Sequence, residues 1–134
     1  MEDCLFCKIV SGKLPCFKIY EDELTLAFLD ISPSRVGHTL VVPKQHVRNL
    51  LTADADIMAA VMATTQKVSN HYTSSCGFGG VHLGVNNEPC AGQVVMHWHV
   101  HIVPYTKAKQ KVHNSKTILS AKELEPICER LKMY

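Results

Sequence analysis

The sequence predicts a single domain that mixes α and β structure, and three observations carry that prediction. Short runs of alternating or wholly apolar residues, bounded by Gly, Pro and acidic turns, read as strands. One long segment places its apolar residues at helical spacing. The chain of 134 residues is 46% hydrophobic and 19% charged, the balance of a globular protein rather than a disordered one.

Taken in order, Cys4-Leu5-Phe6-Cys7 is a C-x-x-C at the N-terminus. A thioredoxin-like redox role would want a strand before it and a helix opening at it, so half of a zinc site is the better reading. Phe17–Tyr20 alternates, Glu21-Asp22-Glu23 marks a turn, and Leu24–Leu29 reads as the second arm of a hairpin. Asp30 ends that arm, where it serves as a turn former or as an acceptor for sugar hydroxyls. Gly37–Pro43 is a third strand, opened by His38 and followed by His46.

Thr52–Tyr72 is the strongest helix, with Thr52 as its cap and Asp54 and Asp56 at the positive end of the dipole. Ile57, Ala60, Val61, Thr64 and Val68 trace its inner face, and Met58 and Met62 are expected in the core. Val81–Val85 is a weak strand. The polar loop from Asn86 to Gly92 offers either a solvated turn or, with Gln93, neutral donors for a phosphate. After Pro104 the chain turns basic through Lys107, Lys109, Lys111 and Lys116, with no aromatic residue interleaved, so a solvated segment is expected and not a nucleic-acid groove. Ser120-x-x-Glu123 resembles a capping box, and Leu124, Ile127, Cys128 and Leu131 share a face. Pro126 conflicts with a straight helix from Ser120, so a kink or a later start is expected.

The net charge of +2 argues for neither nucleic acid nor membrane binding. No apolar run approaches a membrane span, and Met1-Glu2-Asp3-Cys4 lacks the features of a signal peptide. A cytoplasmic or nuclear location is therefore expected, with the six cysteines as thiols or metal ligands.

The most informative stretch is His97-Trp98-His99-Val100-His101-Ile102-Val103-Pro104. Read as a strand, it sets His97, His99 and His101 on one face and Trp98, Val100 and Ile102 on the other, in a core. Three hydrogen-bonded structural histidines are one reading. A metal bound by all three is another, but His97 and His101 would start about 13 Å apart at roughly 3.3 Å per residue. The favoured reading divides the labour, with at least one imidazole acting on a substrate as nucleophile or proton donor.

His97-x-His99-x-His101 resembles the histidine triad (HIT) motif. The likeness extends to Asp30-Ile31-Ser32-Pro33, Gly37-His38-Thr39-Leu40-Val41-Val42-Pro43-Lys44-x-His46, Asn86 and Ala91-Gly92-Gln93, over roughly residues 4 to 105. Cys4-x-x-Cys7 with Lys8-Ile9 points to the zinc-carrying Hint branch. The resemblance implies an α+β fold, a five-stranded antiparallel sheet packed by helices and paired into a symmetric homodimer. It implies one HIT domain over the chain, with residues 106–134 divergent.

It further implies binding of a purine nucleotide, AMP or an adenylylated small molecule, and hydrolysis at the α-phosphate. His99 would be the nucleophile, supported by His101 and His38. Asp30 would take the ribose hydroxyls, and Asn86, Gly92 and Gln93 the phosphate. Phe6, Ile9, Phe28, Leu29 and Ile31 would wall the base pocket. Cys4, Cys7, His46 and His97 would hold one structural zinc, and the chemistry would need no cofactor. A Fhit-like dinucleoside polyphosphate hydrolase and a nucleotide-binding scaffold with vestigial catalysis are the alternatives. Val94 departs from the pattern, standing where relatives usually carry Ser or Thr after the Gly-Gln.

Overall fold

The sheet starts at Asp22. Its carboxylate accepts the backbone N–H groups of Leu24 and Thr25 at 2.9 and 2.8 Å, which folds the acidic turn back on itself. β1 (Lys18–Glu21) therefore pairs antiparallel with β2 (Thr25–Leu29). β3 (Thr39–Pro43), β4 (Gly80–Gly84) and β5 (Val100–Tyr105) complete an antiparallel sheet of five strands in the order β1-β2-β3-β5-β4. The structure, a computed structural model, describes residues 3–107 and 118–134.

Alternation sorts each strand between two faces. Ala27 and Leu29, Val41, and Val100 and Ile102 pack on one side with Val61, Val68 and Tyr72 of α2 (Ala55–Ser75) and Leu124 and Leu131 of α3 (Ala121–Leu131). Leu26, Phe28, Leu40 and Val42 point to the other side, where Phe6 of α1 (Leu5–Val10) covers them. His101 lies opposite Leu40 in the β3–β5 register, so it belongs to this second face. The long helix thus closes one layer, and the short N-terminal helix leaves room for a site on the other. Among the described residues no helix is long and apolar enough to cross a membrane.

Several boundaries differ from the sequence reading. Thr52 lies in a 3₁₀ turn capped by Asn49, and α2 starts later, capped by Asp54 accepting from Ile57 N–H at 2.8 Å. Met62 is 45% exposed, so it is not a core residue. α1 was not expected: Cys4 caps it, accepting the N–H of Cys7. The histidine stretch joins the ladder only at Val100; before that, Trp98 N–H donates to Val47 O at 2.7 Å, so a loop holds the extended run. α3 has the full Ser120/Glu123 capping box and runs continuously through Pro126. Lys109, Lys111 and Lys116 lie outside the described residues.

Candidate active site and metal centre

Backbone groups decide which nitrogen of each histidine carries its proton. A carbonyl only accepts, and an amide N–H only donates. His99 Nδ1 sits 2.8 Å from the carbonyl of His97, so Nδ1 holds the proton and Nε2 keeps the lone pair. His97 Nε2 donates to the Pro43 carbonyl at 2.8 Å, which leaves its Nδ1 as the lone-pair nitrogen. His38 Nδ1 accepts the Ser34 N–H at 3.0 Å, so its proton is on Nε2. That proton is donated to His101 Nδ1 at 2.9 Å, and the His101 proton is then on Nε2. Four rings thus have four assigned roles.

Burial keeps these imidazoles neutral. It is the largest cause for each, because an imidazolium loses hydration in a low-dielectric site. His101 is held down to about 4 by burial and then by its neighbours His99 and His38. His38 is lowered by burial against the opposing pull of Asp30. His99 is lowered by burial despite its bond to the His97 carbonyl. A neutral His99 with a lone pair on Nε2 is a nucleophile.

The triad opens onto a cleft of about 550 Å³. Phe6, Ile9, Phe28, Leu29, Asp30, Ile31, His99 and His101 all line it, as the sequence reading expects. Phe6 meets the His99 ring edge-on at 5.1 Å and Phe28 at 5.5 Å. Asp30 is fixed by its Oδ1, which accepts Ser32 N–H at 2.8 Å, and its Oδ2 lies 3.6 Å from His38 Nε2. One apolar wall and one carboxylate suit a flat heterocycle joined to a hydroxylated ring.

The phosphate loop is built differently from expectation. Asn86, Gly92 and Gln93 are not among the lining residues. Gln93 is buried with its amide fully engaged: Nε2 donates to the Arg48 and Val95 carbonyls, and Oε1 accepts from Glu88 N–H and Asn49 Nδ2. Both donors are taken, so the side chain ties the loop together rather than offering a free hydrogen. Asn86 Nδ2 donates to the Ala91 carbonyl at 2.7 Å. Gly92 has φ +95°, and a Cβ there would lie 3.1 Å from Asn86 Nδ2.

Glu88 was missed by the sequence reading. It has φ +78°, a strained conformation for a side-chain-bearing residue, and is held by Gln93 and by a fork of Arg48 at 2.8 and 2.9 Å. The Arg48 fork, with Asn49 beside it, pulls its carboxyl down to about 2. A lone Glu in a polar loop carries no sequence signal for this.

Two clusters could hold a metal. Cys4 Sγ lies 3.3 Å from His97 Nδ1, and Cys7 Sγ lies 3.3 Å from His46 Nδ1 and 3.5 Å from His97 Nδ1. Tetrahedral zinc, with Zn–S of about 2.3 Å and Zn–N of about 2.0 Å, needs S–N separations of about 3.5 Å. The His97 lone pair already faces the sulfurs, and the donor set is two thiols and two imidazoles. The residues fit zinc. Asp30, His38 and His101 also bring donor atoms within 4.8 Å of one another. There the His38 proton sits on the nitrogen a metal would need, and moving it to Nδ1 would set it against the Ser34 N–H. This second cluster is a hydrogen-bonded chain.

Residues 11–108 match the family model of the HIT domain. This chain belongs to the HIT family. The matched segment holds Asp30 and all the histidines above, while Cys4 and Cys7 precede it. The HIT chain is 41% identical over 102 residues to "Adenylylsulfatase HINT3" of Arabidopsis thaliana, covering 76% of this chain and 52%, about half, of that protein. It is 41% identical over 101 residues to "Adenosine 5'-monophosphoramidase hnt1" of Schizosaccharomyces pombe, covering 75% and 73%. Among solved structures, a zinc-bound histidine triad family protein from Mycobacterium smegmatis superposes with a TM-score of 0.82 at 32% identity, over 97% of this chain and 94% of that one.

Proposed function

We propose that this HIT protein binds a purine nucleotide and hydrolyses adenylyl phosphoramidates or related adenylylated compounds at the α-phosphate. The observation that carries the reading is the His99 ring, whose Nδ1–H is fixed on the His97 carbonyl and whose Nε2 lone pair is left for attack in the wall of the cleft. The activities named for the fission yeast and Arabidopsis relatives support it.

In the first step Nε2 bonds to the α-phosphorus as the bond to the leaving amine breaks, and the amine departs with one proton taken up. The His97 carbonyl steadies the positive charge that develops on the ring. His101, protonated on Nε2 and backed by His38, hydrogen-bonds the phosphate oxygens. Water then cleaves the histidine–phosphorus bond, releasing AMP and one proton and restoring neutral His99. Asp30 takes the ribose hydroxyls, and Phe6, Ile9, Phe28, Leu29 and Ile31 enclose the base.

Cys4, Cys7, His46 and His97 hold one zinc ion in this reading. Its four protein ligands give it a structural part, joining α1 to the histidine stretch. The test is AMP release from adenosine phosphoramidate, wild type beside His99→Ala. The expected result is turnover that falls by at least about 10³-fold in the variant. Equal turnover in both proteins would remove His99 from the mechanism. Hydrolysis of a dinucleoside polyphosphate in preference to the phosphoramidate would replace the substrate class.

A further inference from the structure

Val94 is 88% exposed, the most exposed large apolar side chain among the described residues, and it stands on a ridge between two clefts. One is the nucleotide cleft already described. The other, of about 630 Å³, is lined by Asp3, Cys4, Leu5, His46, Arg48, Val94, Val95 and Met96. The two share Leu5, Val94 and Val95. A group leaving the phosphorus at His99 and crossing that ridge would enter the second cleft.

We propose that this second cleft is the leaving-group subsite, and that it selects amines carrying an apolar body. The inference rests on the phosphoramidate reading above. Its first support is composition: Leu5, Val94, Val95 and Met96 form an apolar surface that the fold does not cover, and Val94 contributes little to any core. The second support is charge. Arg48, the cation of the lining, has its guanidinium forked onto Glu88 at 2.8 and 2.9 Å, so its charge is already matched. Asp3 adds a carboxylate. The cleft therefore offers an anionic leaving group no unmatched positive charge among its described lining residues, while an alkyl or aryl amine finds apolar contact.

The test compares adenosine 5′-phosphoramidates of benzylamine and of 2-methoxyethylamine, two leaving amines of similar basicity and different apolar bulk. Met96 lines the second cleft and not the first. In the wild type, kcat/KM for the benzyl compound should exceed that for the methoxyethyl compound by about tenfold or more. Met96→Ser should shrink that ratio to within about threefold, and Met96→Leu should restore it. Because the readout is a ratio within one protein, a general loss of folded enzyme cancels. Equal rates in the wild type, or a ratio unmoved in Met96→Ser, would remove the subsite and leave the reaction standing. Turnover of neither compound would overturn the reaction and the subsite together.

Discussion

At the scale of single residues, the site works by fixing protons with main-chain groups. The pH dependence follows from this. An unfolded histidine takes up a proton near pH 6.5, whereas folded His101 refuses one until about pH 4. Above pH 6.5 both states are neutral and full stability is present. As pH falls from about 6.5 toward 4, the unfolded state alone gains the proton, so stability drops by up to about 1.4 kcal/mol per unit for His101. His38, lowered for the same reason, adds to the slope. Urea titrations at steps across that window should show the decline, and His101→Gln should flatten it. Gln93→Ala should cost more than about 2 kcal/mol in the same assay at pH 7, since it strands the Glu88 N–H and the Asn49 amide. The triad itself was legible in the sequence, because residues two apart share a face. The tautomers were not, since they depend on the Pro43 and His97 carbonyls and the Ser34 amide, which no spacing reveals.

At the scale of elements, α1 links the thiols to the nucleotide cleft. Cys4 and Cys7 bracket Phe6, and Phe6 contacts both His97 and His99. Cys4→Ala should therefore abolish binding of about one zinc per chain, measured by metal analysis, and should raise KM for the phosphoramidate more than it lowers kcat. A metal-free wild type of equal stability would remove the zinc assignment. Strands β1, β2 and β3 were legible because their apolar alternation is dense and bounded by turns. α1 was not: six residues are too few for a helical period, and its stability comes from a sulfur cap and packing. α3 runs through Pro126 because its capping box and the buried Leu124, Cys128 and Leu131 outweigh one missing donor.

At the scale of the whole molecule, the sheet divides labour between its faces, with α2 and α3 sealing one and the chemistry spread over the other. The C-terminal segment, which falls outside the family match, is built into this plan. Leu119 N–H donates to the Ile31 carbonyl at 2.8 Å, beside Asp30. Met133 N–H donates to the Ile19 carbonyl at 2.8 Å, and Tyr134 OH to the Lys18 carbonyl at 3.2 Å. Those last two bonds occupy the outer rim of β1, which would otherwise accept a stranger's strand. The opposite rim, along β4, has no such cover among the described residues. A sheet that is stoppered at one end and open at the other can join a copy of itself once, rim to rim, and then has nothing left to extend. Sedimentation at rising concentration should accordingly reach a plateau at two chains, and deleting Met133 and Tyr134 should be what lets larger species form.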